Sequence, residues 1–304
     1  MVYTIEVKNL VKKYGSFTAV DNISFDIDKG EVFSLLGPNG AGKTTTVEII
    51  EGLRIPTSGE VKLLGMDPIK HREVLSKKIG VLPQDFRFIE NVTPKEAIEY
   101  YKTTMESKAD WKAVLELVDL YEKRNVVYKN LSGGEKQKMG LALSMVNDPE
   151  VLFVDEPTTG LDPRARRGIW KVIEQLKKQG KSILLTTHYL EEAEILADKV
   201  AIINHGKIIV KGKPSEIVQT YYKGDIIKIK TDSNLDEVLK LKGIKYEKNE
   251  GTYEISASNT KEVFSILDIF RESNIEMQDL TIKRESLEDI FVRLVGQKED
   301  ENES

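Results

Sequence analysis

The run Gly37-Pro38-Asn39-Gly40-Ala41-Gly42-Lys43-Thr44 fits G-x-x-x-x-G-K-[ST], the spacing of a phosphate-binding loop, and Thr45 follows it. Glycines within it permit backbone angles that turn main-chain N–H groups inward around an anion. A helix starting at Thr44 would add its positive end. Lys43 is then placed to reach terminal phosphates, and the Thr44 hydroxyl to hold Mg²⁺.

Further along, Val151-Leu152-Phe153-Val154 precedes Asp155-Glu156-Pro157. An apolar strand that delivers two carboxylates to its C-terminal edge is the Walker B pattern. Asp155 would help hold Mg²⁺, and Glu156 would orient or deprotonate an attacking water. Leu131-Ser132-Gly133-Gly134-Glu135 begins a helix with a Ser132/Glu135 capping box. Two glycines in a first turn cost about 1 kcal/mol each relative to alanine. A cap does not need them, but a helix start stripped of side chains lets an anion approach its N–H groups. Three more residues stand at element ends. Gln84 follows the strand 79–82, where ligands sit in α/β sheets or where a loop residue is simply solvated. His188 follows the strand 182–187 and is either incidental or turned towards a γ-phosphate. Tyr14 either packs a strand end or stacks on a base. Asp162, ahead of Pro163, is an N-cap candidate.

The elements that position these groups read as an α/β chain. Tyr3–Val7 alternates like an edge strand, residues 12–16 suggest a turn, and Val20–Asp28 a second strand. Glu31–Leu36 and Thr44–Glu51 give the strand and helix around the phosphate loop. Glu60–Leu64 and Ile79–Leu82 are short strands. Pro94–Met105 and Trp111–Tyr121 carry helical stripes and look inserted into the sheet domain. Helices follow at 135–146, 169–179 and 191–197, and a hairpin turns at His205-Gly206.

The chain has 304 residues, about two domains' worth, with 40% hydrophobic and 31% charged residues. A net charge of −5, from 45 basic and 50 acidic residues, argues against an obligate nucleic-acid binder. There is no cysteine, which excludes disulfides, thiolate metal sites and cysteine nucleophiles. The opening MVYTIEVKNL has no apolar stretch of signal-peptide type, and no apolar run reaches the length of a membrane span. A cytoplasmic location is expected, with any membrane role exercised through a partner.

Over residues 3–217 the chain resembles the ATP-binding cassette (ABC) family. GPNGAGKTT, Gln84, LSGGE, VLFVDEP, Gly160-Leu161-Asp162 and His188 occur in that family's order, and LSGGE is its signature. The resemblance implies a P-loop cassette over residues 1–220, with a mixed sheet, a β-rich lead-in and a helical subdomain at about 86–148. It implies Mg²⁺-dependent ATP hydrolysis, with Tyr14 on the adenine, Gln84 on Mg²⁺ and water, His188 beside Glu156, and Asp162 in the D-loop. It also implies a head-to-tail dimer, of two copies or with a paralogous cassette. Each ATP would then lie between one P-loop and the partner's Leu131–Glu135 signature. Thr159 stands where serine is common, and Lys138 where arginine is; neither is expected to touch a catalytic atom.

Residues 221–296 follow the order β-α-β-β-α-β plus a helix, a ferredoxin-like α+β pattern without a catalytic constellation. This part reads as an accessory or dimer-contact domain, and the acid-rich residues 297–304 as a disordered tail. The run Glu285-Ser286-Leu287-Glu288-Asp289-Ile290-Phe291 resembles the tail of ATPase subunits of ABC-2 type exporters. These act with an integral membrane permease and sit peripherally on the inner face of the membrane. The helices near Phe86–Tyr101 are expected to receive that permease. A soluble cassette ATPase of translation or DNA repair is the alternative. A single cassette, with neither a long coiled-coil insertion nor a basic arm, counts against it. A GTPase would need N/T-K-x-D, which is missing.

Overall fold

The computed structural model of the protein describes residues 3–249, 251–273 and 275–294. The tail at 297–304 lies outside the described residues. The chain divides into two compact units, Met1–Pro214 and Ser215–Ser304.

In chain order the first unit runs β1 (Ile5–Tyr14), β2 (Phe17–Ile27), β3 (Val32–Leu36), α1 (Lys43–Ile50), β4 (Ser58–Leu63), α2 (Arg72–Ser76), β5 (Ile79–Leu82) and α3 (Pro94–Thr104). It continues α4 (Trp111–Leu117), α5 (Gly133–Ser144), β6 (Val151–Asp155), α6 (Pro163–Lys178), β7 (Ser182–Thr187), α7 (Leu190–Leu196), β8 (Lys199–Asn204) and β9 (Lys207–Gly212). One sheet has the order β5-β6-β7-β3-β8-β9, parallel except for β9. The other is antiparallel, β2-β1-β4.

The four inner strands of the six-stranded sheet, β6, β7, β3 and β8, are buried on both faces, as their near-continuous apolar runs require. Strand periodicity divides the core in two. On β6, Leu152 and Val154 join a cluster with the helices α3 to α6, through Ala97, Leu115, Leu141 and Ile173. Val151 and Phe153 point the other way, into a cluster with β1, β2, β4 and α1. One strand therefore anchors both layers and ends in Asp155, at the edge where both clusters leave room.

Two expectations are corrected. β1 is the centre of its sheet, not an edge, and it runs through Lys12 and Lys13 to Tyr14. The turn there is only Gly15-Ser16, closed by the Tyr14–Phe17 pair. Two lysines suggested a turn, but ladder pairing on both sides with irregular register lets a strand carry them outward. The helix expected at 169–179 is continuous with the helix start expected at Asp162-Pro163: one helix runs Pro163–Lys178, capped by Asp162, with proline at its first position. The short helix α2 gave no sequence signal.

From the boundary onward the chain forms α8 (Pro214–Tyr221), β10 (Asp225–Lys230), α9 (Leu235–Leu241), β11 (Tyr246–Asn249), β12 (Thr252–Ala257), α10 (Thr260–Glu272) and β13 (Asp279–Arg284). Residues 287–294 are helical. The four strands form an antiparallel sheet in the order β11-β12-β10-β13, with the first and third strands central. Ile227, Ile229, Tyr253 and Ile255 pack on Leu239, Ile266 and Phe270 of the two helices α9 and α10. No helix among the described residues is long and apolar enough to cross a membrane.

Candidate active site

The phosphate loop spans β3 and α1, and packing fixes its shape. A Cβ on Gly37 would lie 2.2 Å from the carbonyl oxygen of Ile203, so no side chain fits. Gly42 has φ +103°, and a Cβ there would lie 2.4 Å from the oxygen of Ala19. Gly206 N–H donates to Ala41 O at 3.0 Å, tying the loop to the β8–β9 hairpin. The α1 N-terminus has no side-chain cap and no acidic residue in its first turn. Its N–H groups are therefore free to meet an anion. Asn39, Gly40 and Thr44 are exposed, while Pro38 and Thr45 are half-buried.

Lys43 is buried. Its Nζ donates to the carbonyls of Gly37 (2.8 Å) and Pro38 (3.1 Å), and it lies 3.3 Å from Glu156 Oε1. Glu156 is 5% exposed. Its other oxygen, Oε2, accepts from Gln84 Nε2 (3.2 Å) and from the Thr159 hydroxyl (3.1 Å). His188 Nδ1 lies 3.1 Å from the same oxygen and donates to it in the tautomer that protonates Nδ1. Glu156 also has φ +44°, a backbone position that costs a non-glycine residue about 1–3 kcal/mol. Its N–H, donating to both the carbonyl and hydroxyl oxygens of Thr186 at 3.1 Å, holds it there.

Asp155, at the end of the same strand, accepts from the Thr186 hydroxyl. Burial pushes its carboxyl pKa up, and the charges of Glu156 and Glu48 add to that; the Thr186 bond and Lys43 oppose it. Such a carboxylate gains from a nearby cation. Asp155, the Thr44 hydroxyl and the Gln84 amide are all oxygen donors, the chemistry that hard divalent cations prefer. Among the described residues no group of three or more acidic or histidine side chains could hold a metal by itself. An ion that takes one or two carboxylates and completes its shell with phosphate oxygens needs none.

The structure thus brings Lys43, Gln84 and His188, with Thr159, together on the Glu156 carboxylate. The signature segment is built differently. Ser132 caps α5, accepting from Glu135 N at 3.3 Å, while Glu135 Oε2 accepts from Ser132 N at 2.8 Å. Leu131 is buried, and Ser132 and Gly133 are exposed. A Cβ on Gly133 would meet Leu161 at 3.2 Å and one on Gly134 would meet Ala165 at 2.9 Å, so the bare helix start also lets α6 approach. Asp162 accepts from the N–H groups of Arg164 and Ala165, a capping role. The Tyr14 ring is 41% exposed, with Lys12 Nζ 5.0 Å and Arg54 Cζ 5.9 Å from its centre.

Thr159 touches the Glu156 carboxylate through its hydroxyl, a group that serine shares, so the contact itself does not depend on the difference between the two. Thr186, which holds both Asp155 and the Glu156 backbone, went unnoticed inside its apolar strand. The only sequence signal for it was a hydroxyl residue inside a fully buried strand.

The ABC transporter family model matches residues 20–159. The Nod factor export ATP-binding protein I of Ralstonia nicotianae is 34% identical over 306 residues, covering 97% of this chain and 94% of that protein. The protein of the same name from Paraburkholderia xenovorans is 41% identical over 231 residues, 74% of this chain and 76% of its own. Among solved structures, an ATP-binding subunit of an ABC transporter superposes with a TM-score of 0.64 at 27% identity, covering 72% of this chain and 93% of that one. A dimeric cassette in a post-hydrolysis state, bound to ADP and Pi, gives 0.60 at 26% identity, covering 69% and 98%.

Proposed function

The chain belongs to the ABC transporter family, and we propose that it is the ATP-binding and hydrolysing subunit of an ABC-2 type exporter, coupling dimer closure to export through a separate membrane permease. The observation that carries this reading is the Glu156 carboxylate. It lies beside the phosphate loop at the end of a buried strand, held by Lys43 on one oxygen and by Gln84, Thr159 and His188 on the other.

Phosphoryl transfer to water is mostly positioning and charge stabilisation. Loop N–H groups and the α1 terminus would receive the phosphates, and Lys43 would turn from the Gly37 and Pro38 carbonyls and Glu156 towards them. Glu156, released from Lys43, would accept the proton of the attacking water while Gln84, Thr159 and His188 hold its second oxygen. Thr44, Asp155 and Gln84 would hold Mg²⁺, which supplies charge neutralisation at the phosphates. Tyr14, with an exposed face, would stack on adenine.

The partner's Leu131–Glu135 segment would close each site head to tail, and Asp162 would lie at the same interface. Dimeric cassettes among the structural relatives support this assembly. The permease would dock in a cleft of about 570 Å³ lined by Leu53, Val81, Phe86, Phe88, Tyr101 and Met105, which supports an apolar helix as its occupant. That partner would hold the subunit on the inner face of the membrane.

The test is reconstitution with an integral membrane permease of the ABC-2 type. Mg²⁺-dependent ATP hydrolysis should appear, change on addition of the permease, and vanish in Lys43→Ala. Robust hydrolysis by Lys43→Ala, or no association with any permease, would overturn the reading.

A further inference from the structure

We propose that Glu192 is a positioning residue for ATP hydrolysis, a single buried carboxyl group that aligns both Thr159 and His188 on the Glu156 carboxylate. The proposal rests on the assignment of Glu156 made above.

Glu192 lies on α7 and is 0% exposed. An acidic side chain among buried neighbours is unfavourable unless its oxygens are hydrogen-bonded, and a leucine would serve the core better. Glu192 Oε1 accepts from the Thr158 hydroxyl at 3.0 Å and from Trp170 Nε1 at 2.9 Å. The donors come from two elements besides α7: Thr158 from the turn after β6, and Trp170 from α6. Thr158 is itself 0% exposed and precedes Thr159, whose hydroxyl donates to Glu156 Oε2. On the other side, the helix that carries Glu192 starts two residues after His188, which contacts that same oxygen. Thr187, next to His188, is among the groups that oppose the rise of the Glu192 pKa, and its hydroxyl receives the Tyr189 N–H at 2.9 Å; Glu192 Oε2 is buried without a hydrogen-bond partner. Of the three groups that hold the second oxygen of Glu156, Thr159 is thus tied to Glu192 through Thr158, and His188 through its neighbour Thr187, while Gln84 is not.

Burial pushes the Glu192 carboxyl pKa up. What it offers its neighbours is hydrogen bonding, to Thr158 and Trp170, and shape. An amide reproduces both, and a methyl group reproduces neither. Misplacing a reacting group by about an ångström costs on the order of a hundredfold in rate.

The experiment uses the full chain and its Glu192→Ala, Glu192→Gln, Trp170→Phe and Glu156→Gln variants. It measures kcat and KM for ATP, equilibrium ATP binding and thermal midpoint. Glu192→Ala should lower kcat about 10- to 100-fold with KM and ATP affinity within about threefold, because the hydrogen bonds it loses go to Thr158 and Trp170, not to a phosphate-loop residue. Glu192→Gln should return kcat to within about threefold of the parent. Trp170→Phe deletes one hydrogen bond, keeps an aromatic ring, and should lower kcat on its own; it decides the matter if Glu192→Ala does not fold. Parental kcat in Glu192→Ala, or in Trp170→Phe should it stand alone, overturns the proposal. So does a glutamine variant no better than the alanine one, or a KM that rises as far as kcat falls. Parental turnover in Glu156→Gln would instead remove the assignment of the base.

Discussion

Replacing Glu156 with glutamine should separate binding from chemistry, and the two effects should have opposite signs. The amide keeps the size of the side chain and an oxygen able to accept from Thr159 and Gln84, but it cannot take a proton from water. Loss of a general base costs on the order of 10²–10⁴ in kcat. The effect on ATP affinity follows from Lys43. At 3.3 Å and an effective dielectric of about 20, the Lys43–Glu156 attraction is about 5 kcal/mol before desolvation is subtracted. That attraction competes with the phosphates for the same ammonium group. If even a fifth of it, about 1 kcal/mol, is relieved by the substitution, ATP binds about fivefold more tightly. Removing a carboxylate that faces the phosphates acts in the same direction. The variant should therefore bind ATP more tightly, turn over 10²–10⁴-fold more slowly and accumulate as an ATP-held dimer. Titration with a fluorescent ATP analogue, single-turnover kinetics and size-exclusion chromatography in ATP measure these three quantities. Turnover within tenfold of the parent, or weaker ATP binding, would refute the reasoning.

Two other outcomes are expected. Ser132→Arg places a cation on the bare start of α5, and should be inactive alone, as should Lys43→Ala. Mixing them equally should restore about a quarter of the parental activity: half of the dimers are mixed, and each has one intact site of two. Activity absent from the mixture, with both proteins folded, would contradict action in trans. Glu51, half-buried at the end of α1, has its carboxyl pKa pushed up to about 8 by burial, with Asp155 and Glu48 adding to the effect. The unfolded chain releases that proton near pH 4.3. Between these values the folded state holds more protons, so stability falls as pH rises from about 4.3 to about 8, by at most about 1.4 kcal/mol per unit. Glu51→Gln should therefore raise the urea midpoint at pH 8 and leave it nearly unchanged at pH 4.3; an equal shift at both would contradict this.

Contiguous features were legible in the amino-acid sequence because local backbone geometry dictates them. The glycine spacing of residues 37–44, the Ser132/Glu135 cap and the apolar run ending in Asp155-Glu156 each describe a loop, a helix start or a strand end that needs no distant partner. The parallel sheet was legible for the same reason, since strands buried on both faces must be continuously apolar. Tertiary structure alone decided which residues meet. Alternation shows that a strand has an inside, but it does not say which strand lies beside it, so β1 was misread as an edge. Gln84, Thr159 and His188 belong to three separate segments, and only the order β5-β6-β7 brings them onto one oxygen of Glu156. Glu192 was legible only as a position in the helix expected at 191–197. Its burial, and the Thr158 and Trp170 donors that make that burial tolerable, exist only because α6, α7 and the turn after β6 pack together. Hydrogen bonds between distant segments depend on distances that packing sets, and those distances are not encoded in any single stretch of residues.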